Sequence, residues 1–498
     1  MLSSLARSIP RQSRHSISVL TVVIVVTAVV GWHSVGLSEG APSLYDEYYT
    51  LDRSMGFSRN NDWWAVYALG EPTLKKPPMQ YWMTAALLEL NYDQVLALRL
   101  PSLTFATLAL IVTAYIARLL LPEHVWAAPA SVLFLSTSNW FWQYSTSGML
   151  DAGATFFSSL GILAILVALS HKRFGVFFVI AVFLAGLQKA PTPLAFLSFA
   201  IVGVAVTTRL HLVPLRDIIW NRRFLVVVLV ALVLGFAWPF FQQYRFTADG
   251  LEGSVEHEMF DRFAPTGVFL PDAWTSFKKN ILSGEATLRL TGFLGLVVLL
   301  LVRRTTVAAA TLGIVMFFLI AMLAAGGKVY PRYTLTILPL LAIGAAVLPF
   351  VLFNNKMAAT AYTVALLALL GGPFRGSSVL SQSQGTEFDT HLRAVIGPLS
   401  AAFRKDETFM SCRRGAKVPP GALAVYAPEV LNGFPISIEA DGNLETYLAK
   451  KKSYDGGPVR GICERGHFED LRGYLVDPEV TPLSDDMVMW AAEGFRFE

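Results

Sequence analysis

The sequence is short of charged residues. Asp, Glu, Lys and Arg make up 15% of its 498 residues, whereas a soluble globular protein has roughly 25%. Apolar residues of the AVILMFWYC set reach 54%, which excludes a disordered chain because disorder requires low hydrophobicity. A net charge of +4 spread over the whole chain argues against a nucleic-acid-binding protein, which needs a basic surface. The remaining interpretation is a polytopic membrane protein.

Long apolar runs recur along the first 371 residues. Many have about 20 residues, the length that crosses a hydrocarbon core of ~30 Å. They predict a mainly α transmembrane bundle of about 11–13 spans, and no charge lies at the centre of an assigned span. A shorter apolar stretch at 79–90 is either a further span or an interfacial helix. The eleven assigned spans are 17–36, 97–121, 125–143, 149–169, 174–189, 192–208, 224–243, 287–302, 305–325, 333–352 and 356–371.

Lys and Arg in the short loops predict the orientation, because cytoplasmic loops are enriched in both. The N-terminus is then cytoplasmic, and the long loops 37–96 and 244–286 lie outside a bacterial inner membrane. The first span is too long for the apolar region of a signal peptide, so we interpret it as a retained anchor. The residues that carry this argument are Arg7, Arg11, Arg14, Lys172, Arg173, Arg209, Arg216, Arg222, Arg223, Arg303, Arg304 and Lys356.

The scarcity of charge is confined to the membrane part. About 12% of residues 1–371 are charged, against about 25% of residues 372–498, and the second value is typical of soluble domains. We therefore expect a small soluble extracytoplasmic domain over 372–498. Short apolar runs at Leu423–Tyr426 and Phe434–Glu439 predict strands and 390–404 predicts a helix, which together indicate an α/β domain.

Cysteine is also scarce. The only two cysteines, Cys412 and Cys463, both lie in this C-terminal segment. On the outer side of the membrane a disulfide between them is permitted. Two unpaired buried thiols are the alternative.

An acidic pair, Asp46 and Glu47, follows the first span on its outer side. Carboxylates at the membrane surface can act as a general base or bind a metal. The structural alternative is a helix cap, because Ser43 and Asp46 have the spacing of a capping box.

Cations lie on the side that the positive-inside bias disfavours. Lys75 and Lys76 directly precede Pro77 and Pro78, and they are either interfacial anchors or partners for an anionic group such as a lipid phosphate. Other polar residues on the outer side lie at span ends, in the second outer loop or in the outer turn before span 333–352. They also have structural alternatives, namely helix-dipole, capping or solvated positions. They are Asp151, Lys189, His257, Arg262, Lys328, Arg332 and Tyr333.

The shared outer location of these groups favours transfer from a phosphate-bearing lipid. The competing class is a flippase or carrier for a lipid or an anion. A proton-coupled carrier would bury its charges mid-span, near broken helices. A scaffolding protein would show no preferred side for its polar residues.

The motifs resemble those of the GT-C type glycosyltransferases that use polyprenyl-phosphate sugars. This group contains the bacterial aminoarabinose transferases that modify lipid A and, more distantly, the protein O-mannosyltransferases. The resemblance covers most of the first 345 residues. It rests on Asp46-Glu47, Lys76-Pro77-Pro78-x-x-Tyr81-Trp82, Glu256-His257…Arg262-Phe263, Lys328…Tyr333 with Leu338-Pro339, Met149-Leu150-Asp151 and Lys189-Ala190-Pro191.

The resemblance implies a polyprenyl-phosphate sugar as donor and, as acceptor, a hydroxyl of an envelope lipid, glycan or protein. It is therefore consistent with a role in lipopolysaccharide biosynthesis. It implies that Asp46 is the catalytic carboxylate, with Glu47 beside it. It further implies that Lys76, Arg262 and Tyr333 hold the donor phosphate, and we add Lys328 as a further cation. We assign Asp151, Lys189 and His257 supporting roles.

One departure from the family pattern concerns a metal. The aminoarabinose transferases carry a Glu where this chain has Lys75, and that Glu shares a metal with the histidine. Lys75 beside His257 would instead repel a cation. The sequence therefore assigns no cofactor, and binding of a divalent metal at His257 is disfavoured.

Overall fold

The computed structural model shows two compact units, each formed by separate stretches of the chain. The first comprises Met1–Leu37, Leu74–Met83 and Arg99–Val379, and the second comprises Ser38–Thr73, Thr84–Leu98 and Leu380–Glu498. The structure describes residues 11–42, 45–170, 175–209, 222–246, 274–275, 277–279, 285–324, 330–353, 355–372, 379–402, 408–411, 420–427 and 457–496.

The first unit is built from apolar helices, which confirms the predicted mainly α membrane part. At least one helix overlaps every assigned span. Between two of them the chain forms a short 3-10 turn, Pro331–Thr336. The helices are Arg11–Ser34, Gln94–Leu120, Ala127–Ser136, Asn139–Ser145, Asp151–Ser170, Gly175–Lys189, Thr192–Arg209, Arg222–Gly235, Ala237–Arg245, Ala286–Arg303, Thr306–Ala324, Leu338–Leu352 and Lys356–Leu369.

Fewer of these helices are full-length spans than the sequence predicts. Within the described ranges five helices are long and apolar enough to cross a membrane, or six if one bent pair counts as a single span. The predicted span 125–143 is interrupted where the Ser138 hydroxyl accepts from Phe141 N–H at 3.0 Å and starts a new helix. The predicted span 224–243 bends by 41° between its two halves. The chain is a multi-pass membrane protein in which several apolar helices are short or broken.

Close backbone contact joins the helices Ala286–Arg303 and Leu338–Leu352. A Cβ on Gly295 would lie 1.9 Å from the carbonyl oxygen of Gly344, and one on Gly344 would lie 2.0 Å from that of Gly292. Between lipid-embedded helices the attraction comes largely from van der Waals packing, so small residues at the contact stabilise it. These glycines therefore fix the spacing of this helix pair.

The second unit is mixed α/β, as predicted for the C-terminal segment. Its main sheet places strand Thr408–Ser411 parallel to Val459–Glu464, which pairs antiparallel with Met487–Ala492; Glu479–Pro482 completes the other edge. Two short strand pairs join Tyr67–Ala68 to Glu71–Pro72 and Leu475–Val476 to Gly494–Phe495. Its helices are Tyr45–Asn60, Val379–Ala402, Pro420–Tyr426 and Arg465–Arg472. Helix Met79–Glu89 is divided between the two units, and the first residues of helix Gln94–Leu120 also belong to the second.

One strand prediction in this segment is wrong. Leu423–Tyr426 belongs to the helix Pro420–Tyr426, and Phe434–Glu439 lies outside the described residues. A four-residue apolar run does not distinguish a strand from a buried helical turn by its period. Here Pro420 starts the helix, where a missing N–H costs nothing, and Leu423 is fully buried.

The outer segment after the first span supplies part of the second unit's core. Tyr48 is fully buried in a cluster with residues of the C-terminal segment, including Leu392, Leu423, Ile462 and Met487. The sequence shows no sign of this association, because the two stretches are more than 300 residues apart. The domain boundary near residue 371 stays a prediction.

Cys463 is disulfide-bonded. The only other cysteine of the chain is Cys412, which lies outside the described residues. The Cys463 sulfur also accepts from Trp490 Nε1 at 3.4 Å, and both residues belong to the buried core on the sheet.

Candidate functional site

The acidic pair lies in the first turn of helix Tyr45–Asn60. Carboxylates at this position are stabilised by the N–H groups and dipole of the helix N-terminus. Asp46 is exposed, whereas Glu47 is fully buried. The capping-box alternative depends on Ser43, which lies outside the described residues. Of the two carboxylates, only that of Asp46 is therefore open to solvent.

A third carboxylate, Asp52, joins the same helix to the hairpin that follows it. It was not singled out from the sequence. It accepts from the backbone N–H of Leu69 at 2.9 Å and from Arg59 Nη1 at 3.5 Å. Leu69 and Gly70 have positive φ values and form the turn of the hairpin Tyr67–Pro72, as two-residue hairpin turns require. Burial raises the pKa of Asp52 to about 6, against the lowering effects of Leu69 and Arg59.

We expect this burial to make stability depend on pH. Between about pH 4 and pH 6 the folded state binds more protons at Asp52 than the unfolded state, so the free energy of unfolding falls as pH rises through this window. A shift from 3.8 to about 6 corresponds to about 3 kcal/mol. In detergent, the thermal midpoint of the wild type should fall relative to that of Asp52→Asn over this window. Parallel curves for the two proteins would contradict the assignment, and the exposed Asp470→Asn serves as control.

The Lys-Pro-Pro box immediately precedes helix Met79–Glu89. Lys75 and Lys76 are both half-buried, and the carbonyl of Pro78 accepts from Trp82 N–H at 2.8 Å in the first helical turn. With 11 residues this helix is too short to span a membrane. Of the two predicted alternatives for residues 79–90, a further span is therefore wrong.

Three of the predicted site residues, distant in sequence, meet in the first unit. Lys189 Nζ lies 2.7 Å from Asp151 Oδ1, and both side chains are less than one-tenth exposed. The same Nζ lies 5.8 Å from the centre of the Tyr333 ring, within cation–π distance. Asp151 is the first residue of its helix and Lys189 is the last residue of its own. Each side chain therefore also complements the dipole at a helix end, which is the structural alternative that the sequence predicts. The pair nevertheless places an ammonium group against Tyr333.

A buried chain of amides lies beside this ion pair. Gln188 Nε2 donates to Gln80 Oε1 at 2.9 Å and to the carbonyl of Leu150 at 3.1 Å. Gln80 Nε2 donates to Ser102 Oγ at 2.8 Å, and that hydroxyl donates to the carbonyl of Met149 at 3.0 Å. These hydrogen bonds between buried side chains thus link the segments that carry Lys76, Asp151 and Lys189.

The glutamines were not singled out from the sequence. Their signal was available, because Gln80 follows the Lys-Pro-Pro box and Gln188 precedes Lys189, each at the edge of an apolar run. Both are fully buried, and buried amides must be hydrogen-bonded. A Cβ at position 153 would lie 2.2 Å from Gln188 Nε2, so Gly153 is required for the network.

Three predicted site residues, His257, Arg262 and Lys328, lie outside the described residues. Among the residues that are described, no group of three or more His, Cys, Asp or Glu could hold a metal ion. The expectation that a divalent metal at His257 is disfavoured therefore stays a prediction.

No protein-family model and no curated protein sequence matches the chain. Solved structures do. ArnT from Cupriavidus metallidurans bound to undecaprenyl phosphate matches over 95% of this chain and 97% of its own, with a TM-score of 0.69 and 16% identity. This chain has the GT-C fold of ArnT.

The apo state of the same ArnT matches over 96% of this chain and 98% of its own, with a TM-score of 0.60 and 17% identity. The S. cerevisiae protein O-mannosyltransferase Pmt1-Pmt2 complex, bound to the sugar donor, matches 54% of this chain and 37% of its own. Its TM-score of 0.35, at 16% identity, is too low to support an argument. The predicted resemblance to the GT-C group is confirmed at the level of the fold.

Proposed function

We propose that the chain is an integral membrane glycosyltransferase that transfers a sugar from polyprenyl phosphate to a hydroxyl of an envelope acceptor. The observation that carries the proposal is the end-to-end match to a structure that holds undecaprenyl phosphate. At 16% identity this likeness concerns the fold, and the chemistry of the individual residues supports their proposed roles. The reaction is assigned to the outer face of a bacterial inner membrane, with the N-terminus cytoplasmic.

Asp46 is the general base of the proposed reaction. Its exposed carboxylate takes the proton of the acceptor hydroxyl as the hydroxyl oxygen attacks the anomeric carbon. The bond between that carbon and the phosphate oxygen breaks, and its electrons leave with polyprenyl phosphate. Glu47 is fully buried in the first turn of the same helix, so it supports Asp46 and does not contact the acceptor.

The leaving phosphate needs charge stabilisation more than protonation. Preorganised cations and hydroxyl donors supply this stabilisation effectively where water is excluded. We assign that role to Lys76, Arg262, Lys328 and Tyr333. The charge of Lys189 is balanced by Asp151 at 2.7 Å, so Lys189 supports Tyr333 through its ring rather than binding phosphate itself.

An assay with sugar-carrying undecaprenyl phosphate as donor tests the proposed transfer directly. Purified protein is incubated with undecaprenyl phosphate carrying aminoarabinose, mannose or glucose, together with bacterial envelope lipids and proteins. We expect release of undecaprenyl phosphate with at least one donor, and a matching mass increase on an acceptor. Movement of the intact donor across vesicle membranes without release would instead support the flippase alternative.

Donor binding should discriminate between two adjacent lysines. A hydrogen bond to a charged group contributes about 1.5–3 kcal/mol, so Lys76→Met should weaken undecaprenyl phosphate binding by about 10- to 100-fold. Lys75→Met removes the same charge from the neighbouring position and should change the dissociation constant by less than about 3-fold. Titration of each detergent-solubilised variant measures both constants. Equal losses would show a general charge effect and would remove the specific role of Lys76.

A further inference from the structure

A cluster of polar side chains in the second unit surrounds the buried Asp389. Tyr48 Oη donates to Asp389 Oδ1 at 3.1 Å, and Tyr426 donates to the same oxygen. Arg393 Nε donates to the other oxygen, Oδ2, at 2.7 Å. The Arg393 guanidinium also lies 4.4 Å from the centre of the Tyr426 ring. One carboxylate thus receives hydrogen bonds from three separate side chains.

Two members of the cluster are buried and pack against neighbouring residues. Tyr48 is fully buried and Asp389 is 7% exposed. The rings of Tyr48 and Tyr426 meet edge to face with their centroids 6.1 Å apart. Alongside, Leu51 packs with Val425, so helix Tyr45–Asn60 is held by successive turns against helix Pro420–Tyr426.

The hydroxyl groups of Tyr48 and Tyr426 stay protonated, and so remain hydrogen-bond donors, at any working pH. Burial raises the pKa of Tyr48 far above its usual range, and the neighbouring Tyr426 and Asp389 raise it further. Burial likewise raises the pKa of Tyr426, with its hydrogen bond to Asp389 as the next cause. A phenol that stays protonated beside a carboxylate acceptor makes a hydrogen bond of fixed direction.

Tyr48 directly follows Glu47 and lies two residues after Asp46. We propose that Tyr48, Asp389 and Tyr426 are positioning residues, through which the C-terminal segment holds the first turn of the acid-pair helix in the geometry that proton transfer needs. This inference rests on the proposed role of Asp46 as base. It gives the C-terminal segment a specific part in the reaction.

Displacement of a reacting group by about 1 Å can reduce the rate by about 10²-fold. A hydroxyl that serves only packing would change stability when removed but would not change turnover selectively. The donor-binding residues Lys76 and Tyr333 belong to the first unit. Loss of a Tyr48 hydrogen bond should therefore lower kcat and leave donor affinity unchanged.

The test compares two tyrosine-to-phenylalanine changes. Tyr48→Phe should lower kcat about 10-fold and leave the dissociation constant of undecaprenyl phosphate within about 2-fold. Tyr474→Phe, at a half-exposed tyrosine of the same unit, should change neither. Asp389→Ala should lower kcat more than Asp389→Asn, because Asn keeps an oxygen that accepts from the tyrosines.

A double variant separates positioning from general destabilisation. Once Asp46→Asn has removed the base, adding Tyr48→Phe should lower turnover no further, since residues that act as one unit are not additive. An undiminished kcat in Tyr48→Phe and Asp389→Ala, with turnover lost in Asp46→Asn, overturns the positioning role alone. Additive losses, or a kcat loss matched by lower donor affinity, also overturn it. Full activity in Asp46→Asn overturns the proposed base itself.

Discussion

Asp46→Asn is expected to lower turnover by about 10²- to 10⁴-fold, the usual contribution of general acid–base catalysis. Asn keeps the size and the polarity of the side chain but cannot take the proton of the acceptor hydroxyl. Asp46 is exposed at the start of its helix, so the change should disturb packing little. Release of undecaprenyl phosphate from its sugar, measured at saturating donor, gives kcat.

Donor affinity provides the internal check on this prediction. The dissociation constant of undecaprenyl phosphate should be unchanged in Asp46→Asn, because the base acts on the acceptor. Glu39→Gln removes an exposed carboxylate of the same unit and should leave turnover at the wild-type level. Full activity in Asp46→Asn, or an equal loss in Glu39→Gln, would falsify the assignment.

The largest effect on stability is expected at the buried pair of Asp151 and Lys189. Removing one partner of a buried ion pair typically costs about 3–5 kcal/mol, because the remaining charge is left uncompensated. Both side chains are less than one-tenth exposed and their charged atoms are 2.7 Å apart. Asp151→Ala and Lys189→Met should each lower the thermal midpoint in detergent substantially. The double variant should recover most of the loss, since no buried charge remains.

The half-exposed pair of Glu123 and Arg303 is the matched control. Exposed pairs are typically worth less than about 1 kcal/mol, so Glu123→Ala should shift the midpoint only slightly. Lys189→Met should also weaken undecaprenyl phosphate binding if Tyr333 depends on the ammonium group for its position. Equal stability losses at the two pairs, or no recovery in the double variant, would contradict the buried-pair interpretation.

Some of these features were predictable because they depend on local composition. Apolar runs locate helices whatever their partners are, and at least one helix overlaps every assigned span. Their continuity was not predictable, since the break at Ser138 depends on a single hydroxyl that caps a new helix. The run Leu423–Tyr426 illustrates the same limit, because four apolar residues fit a strand and a buried helical turn equally well.

Pairings across long stretches of sequence could not be predicted from single positions. Asp151 and Lys189 each had a local explanation at a helix end. Neither sequence segment indicates that the two side chains form an ion pair. Tyr48 and Asp389 are separated by 341 positions. The glutamines 80 and 188 carry no charge, so they did not stand out from the apolar runs around them.

The sequence by itself determined that this is a membrane protein with an α/β C-terminal segment, because charge density and hydrophobic run length are local properties. It also located an acidic pair and the Lys-Pro-Pro box after the first span. Only the tertiary structure decided which polar groups are paired, how the amide chain runs and that Tyr48 belongs to a core completed by residues after 380. Burying polar groups in an apolar interior requires partners, and chain folding, rather than sequence proximity, brings those partners together.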